Sequence, residues 1–327
     1  MKFSAISSLG LMASLAMAAP TPTVNEQVNA VSEKRASVSD TPVSYASENG
    51  GTTGGAGGTT ITVSSYAQFT AAVFGTAKKV VVVSGPITQA APQVKVGSNT
   101  SIIGKDKSVV FTSFGLLVKG MENVIIRNIA VAKVLAANGD AIGVQKSTNV
   151  WIDHVDISAD RDHDKDFYDG LIDFAHAADF VTISNCKIHD HWKASLVGHS
   201  DSNSEEDKGN LRVTYHNNHW LNINSRGPSF RFGTGHMYNN YYDTVSDGIN
   251  TLQGSQVLVE NNVFIGSKKT LYSTDSGFAV ATGNDFGGVS NAAEVGTLTK
   301  VPYTYTKVEA SAVMTTIVGV AGNTLSF

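Results

Sequence analysis

The chain has 327 residues with 42% hydrophobic but only 16% charged side chains, 31 Gly, seven Pro and one Cys. So few charges, with that much apolar material, exclude a disordered chain, a coiled coil and a collagen, and one Cys excludes an internal disulfide framework or a Cys-rich metal site. The formal charge of −4 comes without any basic tract, which excludes a nucleic-acid binder, and nothing is long and apolar enough to span a bilayer.

Lys2, the apolar run Ala5 to Leu15 and Ala16-Met17-Ala18 have the order of a secretory leader with a small-x-small cleavage pattern, so residues 1–18 are read as a signal peptide. Residues 19–35 end on Lys34-Arg35, a dibasic processing pattern that makes them a propeptide, with the mature chain starting at Ala36. Removing residues 1–35 leaves 21 cationic and 26 anionic side chains, or −5. In a secreted chain Asn99-Thr100-Ser101 is a candidate glycosylation acceptor at Asn99.

From Gly50 the chain is written in short β-rich runs, first at 59–63, 79–83 and 109–112. A loose repeat follows at 123–129, 149–155, 180–186, 211–217 and 256–262, each run passing into or ending beside an Asn or His. Val124, Val150, Val181 and Val213 are 26, 31 and 32 residues apart. Repeats of this length describe stacked units, none of which buries its own apolar face. The pattern predicts an all-β, single-domain parallel β-helix over 36–327, with Asn217, Asn239, Asn240 and Asn261 as an internal ladder. Leucine-rich spacing is absent. Beyond Asn284 the repeat fades, and that end is read as a segment capping the open solenoid. Cys186, inside a strand run, is read as a small buried hydrophobe, and Trp151 as core.

Polar residues that interrupt the repeat carry the chemistry. Asp140 precedes Asp169 by 29 residues and Lys193 precedes Arg226 by 33, each near one coil, so these groups are expected to line one external groove. Grouped carboxylates repel and call for a cation; oxygen donors with no Cys nearby favour Ca²⁺. Residues four apart on a straight strand lie about 13 Å apart, so Asp169 and Asp173 share an ion only if the chain bends, for which Gly170 is placed. The polar stretch holding Asp160, Asp162, Asp164 and Asp166 is read as an exposed loop.

With Trp151-Ile152-Asp153-His154, Asp169-Gly170-Leu171-Ile172-Asp173, His191-Trp192-Lys193, Gly198-His199, Arg212-Val213-Thr214 and Arg226-Gly227-Pro228 before Arg231-Phe232-Gly233, the sequence resembles the secreted fungal pectate lyases of the pectate/pectin lyase superfamily, from about Gly54 onward. The resemblance implies a right-handed parallel β-helix that cleaves polygalacturonate by Ca²⁺-dependent β-elimination, outside the cell and as a monomer. It implies Asp140, Asp169 and Asp173 as the primary Ca²⁺ ligands, Lys193 and Arg231 as holders of substrate carboxylates, and Arg226 as the base. A guanidinium ordinarily keeps its proton, and neighbouring positive charge favours losing it. Three alternatives stand beside this reading. A pectin lyase acting on methylated substrate would lack the acidic cluster, which this chain retains. A hydrolase would need an acid and a base or nucleophile flanking the glycosidic bond. A non-catalytic binder of an anionic polymer would gain nothing from carboxylates in its groove.

Overall fold

The computed structural model describes Met1 and residues 36–327. The expected signal peptide and propeptide otherwise lie outside the described residues. Among those described, three parallel sheets of eleven, eight and eight strands run the length of one solenoid, the parallel β-helix expected from the repeat. Eight coils contribute one strand to each sheet, and the three remaining strands, one at the first end and two at the last, extend the eleven-stranded sheet alone. The eleven-stranded sheet carries Glu122–Arg127, Thr148–Asp153, Asp179–Ser184 and Arg212–His216; Val124, Val150, Val181 and Val213 are direct partners in consecutive coils. Their side chains point inward into one core that also takes Ile126, Ile152, Ile183 and Tyr215. A strand buried on one face by its own barrel and covered on the other by arms of the chain reads as a continuous apolar run, hence the Val/Ile density.

The corner after each of these strands explains the recurrent Asn. Asn128, His154, Asn185, Asn217, Asn239 and Asn261 all have φ between 49° and 57°, a left-handed conformation that Asn tolerates better than most L-residues. The ladder is built by the next residue. Asn218, Asn240, Asn262 and Asn284 stack with Nδ2 donating to the neighbour's Oδ1 at 2.9 Å, while each Oδ1 past the first also accepts the backbone N–H of the residue below. Of the expected ladder, Asn240 belongs to it; Asn217, Asn239 and Asn261 are corner residues instead. Cys186 occupies the same column, its N–H donating to Asn218 Oδ1 at 2.9 Å, and burial pushes its thiol well above the usual range.

Two further elements close and flank the solenoid. A helix, Tyr66–Val73, N-capped by Ser65, buries Phe69 against Phe111 and Phe114 at the first coils. At the other end Glu294–Val295 pairs with Phe278–Thr282, and Phe286 packs on Phe264. Past that point the chain does not cap: it turns back along the flank, docking Tyr303 on Thr214 and His236, then the helix Ala310–Ile317 on Tyr241 and Val263, and reaching Asn128 with Leu325.

Candidate active site

The site sits on one eight-stranded sheet and the segments entering and leaving it. Asp173 lies in the strand Ile172–Ala175, with Gly143 opposite it in the preceding coil and Leu196 in the following one. Asp140 enters just before Ile142–Gln145 and is aligned with Gly170, since Ala141 N–H donates to Gly170 O at 3.1 Å. Glycines at 143 and 170 clear the space between coils. A Cβ built on Gly170 would stand 2.8 Å from Asp140 Oδ1 and 2.8 Å from both Asp173 oxygens, so the two carboxylates close on one small cradle. Gly170 N–H donates to Asp140 Oδ1 at 3.0 Å and Leu196 N–H to Asp173 Oδ1 at 2.9 Å. Gln93 Nε2 fixes the Asp140 carbonyl at 2.9 Å.

Electrostatics show what that cradle lacks. Burial, then the Asp169 charge, pushes Asp140 up to about 6, against the pull of Arg226 and Lys193. Burial and the Asp140 charge push Asp173 well above the usual carboxylate range. Two acids held this way need positive charge between them to ionise together. The donors are hard oxygens, which fit Ca²⁺. Among the described residues no group of three or more His, Cys, Asp or Glu side chains is gathered tightly enough to cage an ion. Asp169, 47% exposed, stands outside the pair at the rim, its Oδ1 3.9 Å from Lys193 Nζ. It acts on the cradle through its charge.

Lys193 and Arg226 act on the acids through their charges, and a third cation, Arg231, ends the strand Ser229–Arg231 two coils beyond Asp173. Lys193 ends the strand Lys187–Lys193 opposite Ser225, so Arg226 follows one position beyond that register. Arg226 has φ 63°, a costly backbone for an arginine, held by Ser195 N–H donating to its carbonyl at 2.9 Å. Among the described residues its guanidinium forms no hydrogen bond or ion pair. The other two are engaged. Lys193 Nζ donates to Asp166 Oδ1 at 3.0 Å, and Arg231 Nε to Asp201 Oδ1 at 2.5 Å.

Sequence reasoning did not find the supports of this site. His191, buried behind Lys193, accepts the Lys193 N–H on Nδ1 at 2.9 Å. Burial takes its pKa down to about 4, with the Lys193 and Arg226 charges acting the same way, so it stays neutral. Trp192 Nε1 donates to His163 O at 2.8 Å and Arg161 stacks 4.4 Å over its ring, which ties the loop 159–170 to the strand bearing Lys193. No periodicity carries such contacts; they arise when coils stack. Asp153 of the Trp-Ile-Asp-His run is structural: it takes Arg127 Nε at 2.7 Å and His154 Nδ1 at 2.8 Å on the far sheet. Trp151 is buried there too, outside the barrel core, against Ala46 and Ile125. Asn99 is half-buried, its Nδ2 donating to Thr76 O at 3.1 Å. A surface depression lined by Glu122, Lys146, Asp179 and Phe180 lies elsewhere and gathers none of the site residues.

A family model described as pectate lyase matches residues 11–271. A probable pectate lyase A of Neosartorya fischeri is 67% identical over 327 residues, all of both chains. Pectate lyase A of Emericella nidulans is 64% identical over 312 residues, 95% of each chain. Among solved structures, a pectate lyase from Bacillus sp. N165 in complex with trigalacturonate superposes with a TM-score of 0.79 at 32% identity, covering 86% of this chain and 98% of that one. With the acidic cradle and its bordering cations on the fold those relatives share, the chain belongs to the pectate lyase family.

Proposed function

We propose that this cleft cleaves (1→4)-α-D-galacturonan by Ca²⁺-dependent β-elimination, leaving 4,5-unsaturated non-reducing ends. The observation that carries the reading is the Asp140–Asp173 cradle lying within electrostatic reach of Arg226, which is unpaired among the described residues. Asp140 and Asp173 would hold the ion, with Asp169 joining from the rim. Ca²⁺, when bound, supplies positive charge that makes the proton beside a uronate carboxylate easier to remove.

The chain's own residues do the rest. Lys193 and Arg231 bind uronate carboxylates and fix the chain's register in the cleft, Arg by a two-pronged grip. Arg226, whose side chain has no partner among the described residues, takes the C5 proton as the neutral guanidine and becomes guanidinium. The electrons of that C–H bond form the C4–C5 double bond, and the pair of the C4–O bond leaves on the glycosidic oxygen, which then takes a proton. Neutral His191 keeps the Lys193 backbone in place. The mature protein, after loss of residues 1–35, acts outside the cell as a monomer on cell-wall pectate; the leader-like start supports this, and no described helix is long and apolar enough to cross a membrane.

The test is the ultraviolet absorbance of the unsaturated product from polygalacturonate, with and without a chelator. Product that appears only with Ca²⁺ is expected. Reducing ends without that absorbance would mean hydrolysis, and equal rates in chelator would remove Ca²⁺ from the mechanism.

A further inference from the structure

Lys193 and Arg231 each keep only 17% of the side chain exposed, yet each is already paired. Their partners come from opposite walls. Asp166 belongs to the loop that leads into the strand Ile172–Ala175, and Asp201 to the short 3₁₀ turn Asp201–Asn203 that follows the strand Ser195–Val197. Both acids are exposed, 66% for Asp166 and 54% for Asp201, while their cations are not. The contacts are also of the kind a substrate carboxylate would make: Asp166 Oδ1 lies 3.0 Å from Lys193 Nζ, and Asp201 Oδ1 lies 2.5 Å from Arg231 Nε.

We infer that Asp166 and Asp201 are internal competitors: their carboxylates occupy the positions of two uronate carboxylates and must swing away before the polymer binds. This inference rests on the proposed roles of Lys193 and Arg231. The physical argument is one of populations. A ligand's apparent affinity falls by the fraction of protein whose site is open, and an exposed ion pair is weak enough to be displaced but strong enough to lower that fraction. The acids spend little binding free energy uniformly on substrate and product alike. When the anionic product leaves, the same carboxylates re-pair with the cations and oppose its return.

The experiment measures KM and kcat on polygalacturonate for Asp166→Asn and Asp201→Asn, with Asp162→Asn as a control that removes a loop charge not paired with a cation among the described residues. Each of the first two lowers KM roughly two- to five-fold without raising kcat; Asp162→Asn does not. A double-mutant cycle separates competition from simple charge. Arg231→Ala raises KM, and adding Asp201→Asn to it then has no further effect, because the competitor has lost its cation. A KM that rises in Asp166→Asn or Asp201→Asn would make the acids part of the substrate site and overturn the inference. So would a gain that persists in Arg231→Ala or appears equally in Asp162→Asn. Should the parent form no unsaturated product, the assigned reaction fails instead, and the inference is read from calorimetric binding of trigalacturonate to the same variants, where tighter binding supports it and unchanged or weaker binding overturns it.

Discussion

A methyl group at Gly170 would fall where the Asp140 and Asp173 carboxylates meet, 2.8 Å from three of their oxygens. Gly170→Ala is therefore expected to cost at least tenfold in Ca²⁺ affinity, measured by titration calorimetry, while the melting temperature moves little because the clash is with side-chain ends rather than backbone. Arg226→Lys tests the base. It keeps the charge but loses the reach and planarity of the guanidinium, so turnover should fall below about 1% of the parent with oligogalacturonate binding retained; a variant keeping most of its kcat would make Arg226 a carboxylate clamp. At this scale the sequence exposed the residues that do chemistry, since Asp140, Asp169, Asp173, Lys193, Arg226 and Arg231 interrupt an apolar repeat. It did not expose what supports them. Gln93 reaches the Asp140 carbonyl across 47 residues and Asp201 reaches Arg231 across 30; Gln93 and Asp201 both lie in segments between strands, where no repeat marks which side chain meets which.

The strands themselves are legible where β-branched residues repeat and illegible where a coil solves its packing differently. Thr234–Tyr238 continues the eleven-stranded sheet, yet Gly235 stands where the neighbouring coils place Val213 and Val257. The Phe230 ring fills the gap: a Cβ on Gly235 would meet it at 2.9 Å. That substitution hides the coil from a valine count. The Asn column was displaced by one residue for a similar reason, because pairs such as Asn217-Asn218 and Asn239-Asn240 serve two jobs, corner and ladder, that composition does not separate. The ladder makes a graded prediction. Asn240 accepts from Asn218 and donates to Asn262 and to Tyr215 O, so Asn240→Ala orphans several buried groups and should cost roughly 3 kcal/mol or more. Asn284, at the partly exposed end, accepts from Asn262 and donates to Val259 O and Thr282 O, but water can replace part of these bonds, so Asn284→Ala should cost less, about 1 kcal/mol. Denaturant midpoints of the two variants measure the difference; equal losses would mean the ladder does not act as a column.

Across the whole molecule, opposite electrostatic designs at two places set the pH range of stability. Outside the barrel, burial alone would raise Asp153, but the His154 hydrogen bond and the charges of His154 and Arg127 overcome it and hold the carboxyl at about 2. Its stabilisation is complete above the ordinary carboxylate pKa near 4 and is lost as pH falls toward 2. The first described residues and the chain's end share that pair: Ser37 O and Asp40 both take Arg127, and the Phe327 ring lies 5.4 Å from it. Acid should therefore loosen both ends together. At the cleft the sign reverses. Asp140 is raised to about 6 and Asp173 well above its ordinary value, so folding favours their protonated forms; that stability is present below pH 4 and lost as pH rises through about 6. In chelator the melting temperature should peak between about pH 4 and 6 and fall by several degrees toward pH 8, a loss on the order of 2–3 kcal/mol. Saturating Ca²⁺ should abolish the fall on the alkaline side and leave the acid side unchanged, because the ion binds the ionised pair and has no part in the Arg127–Asp153 contact. Asp173→Asn should shrink the alkaline limb in chelator, since one buried carboxyl no longer has to ionise, while the part set by the burial of Asp140 and the Asp169 charge remains. A melting temperature in chelator that keeps rising from pH 5 to 8 would show that the pair ionises without needing the cation, and the cradle would then lose its claim as the metal site.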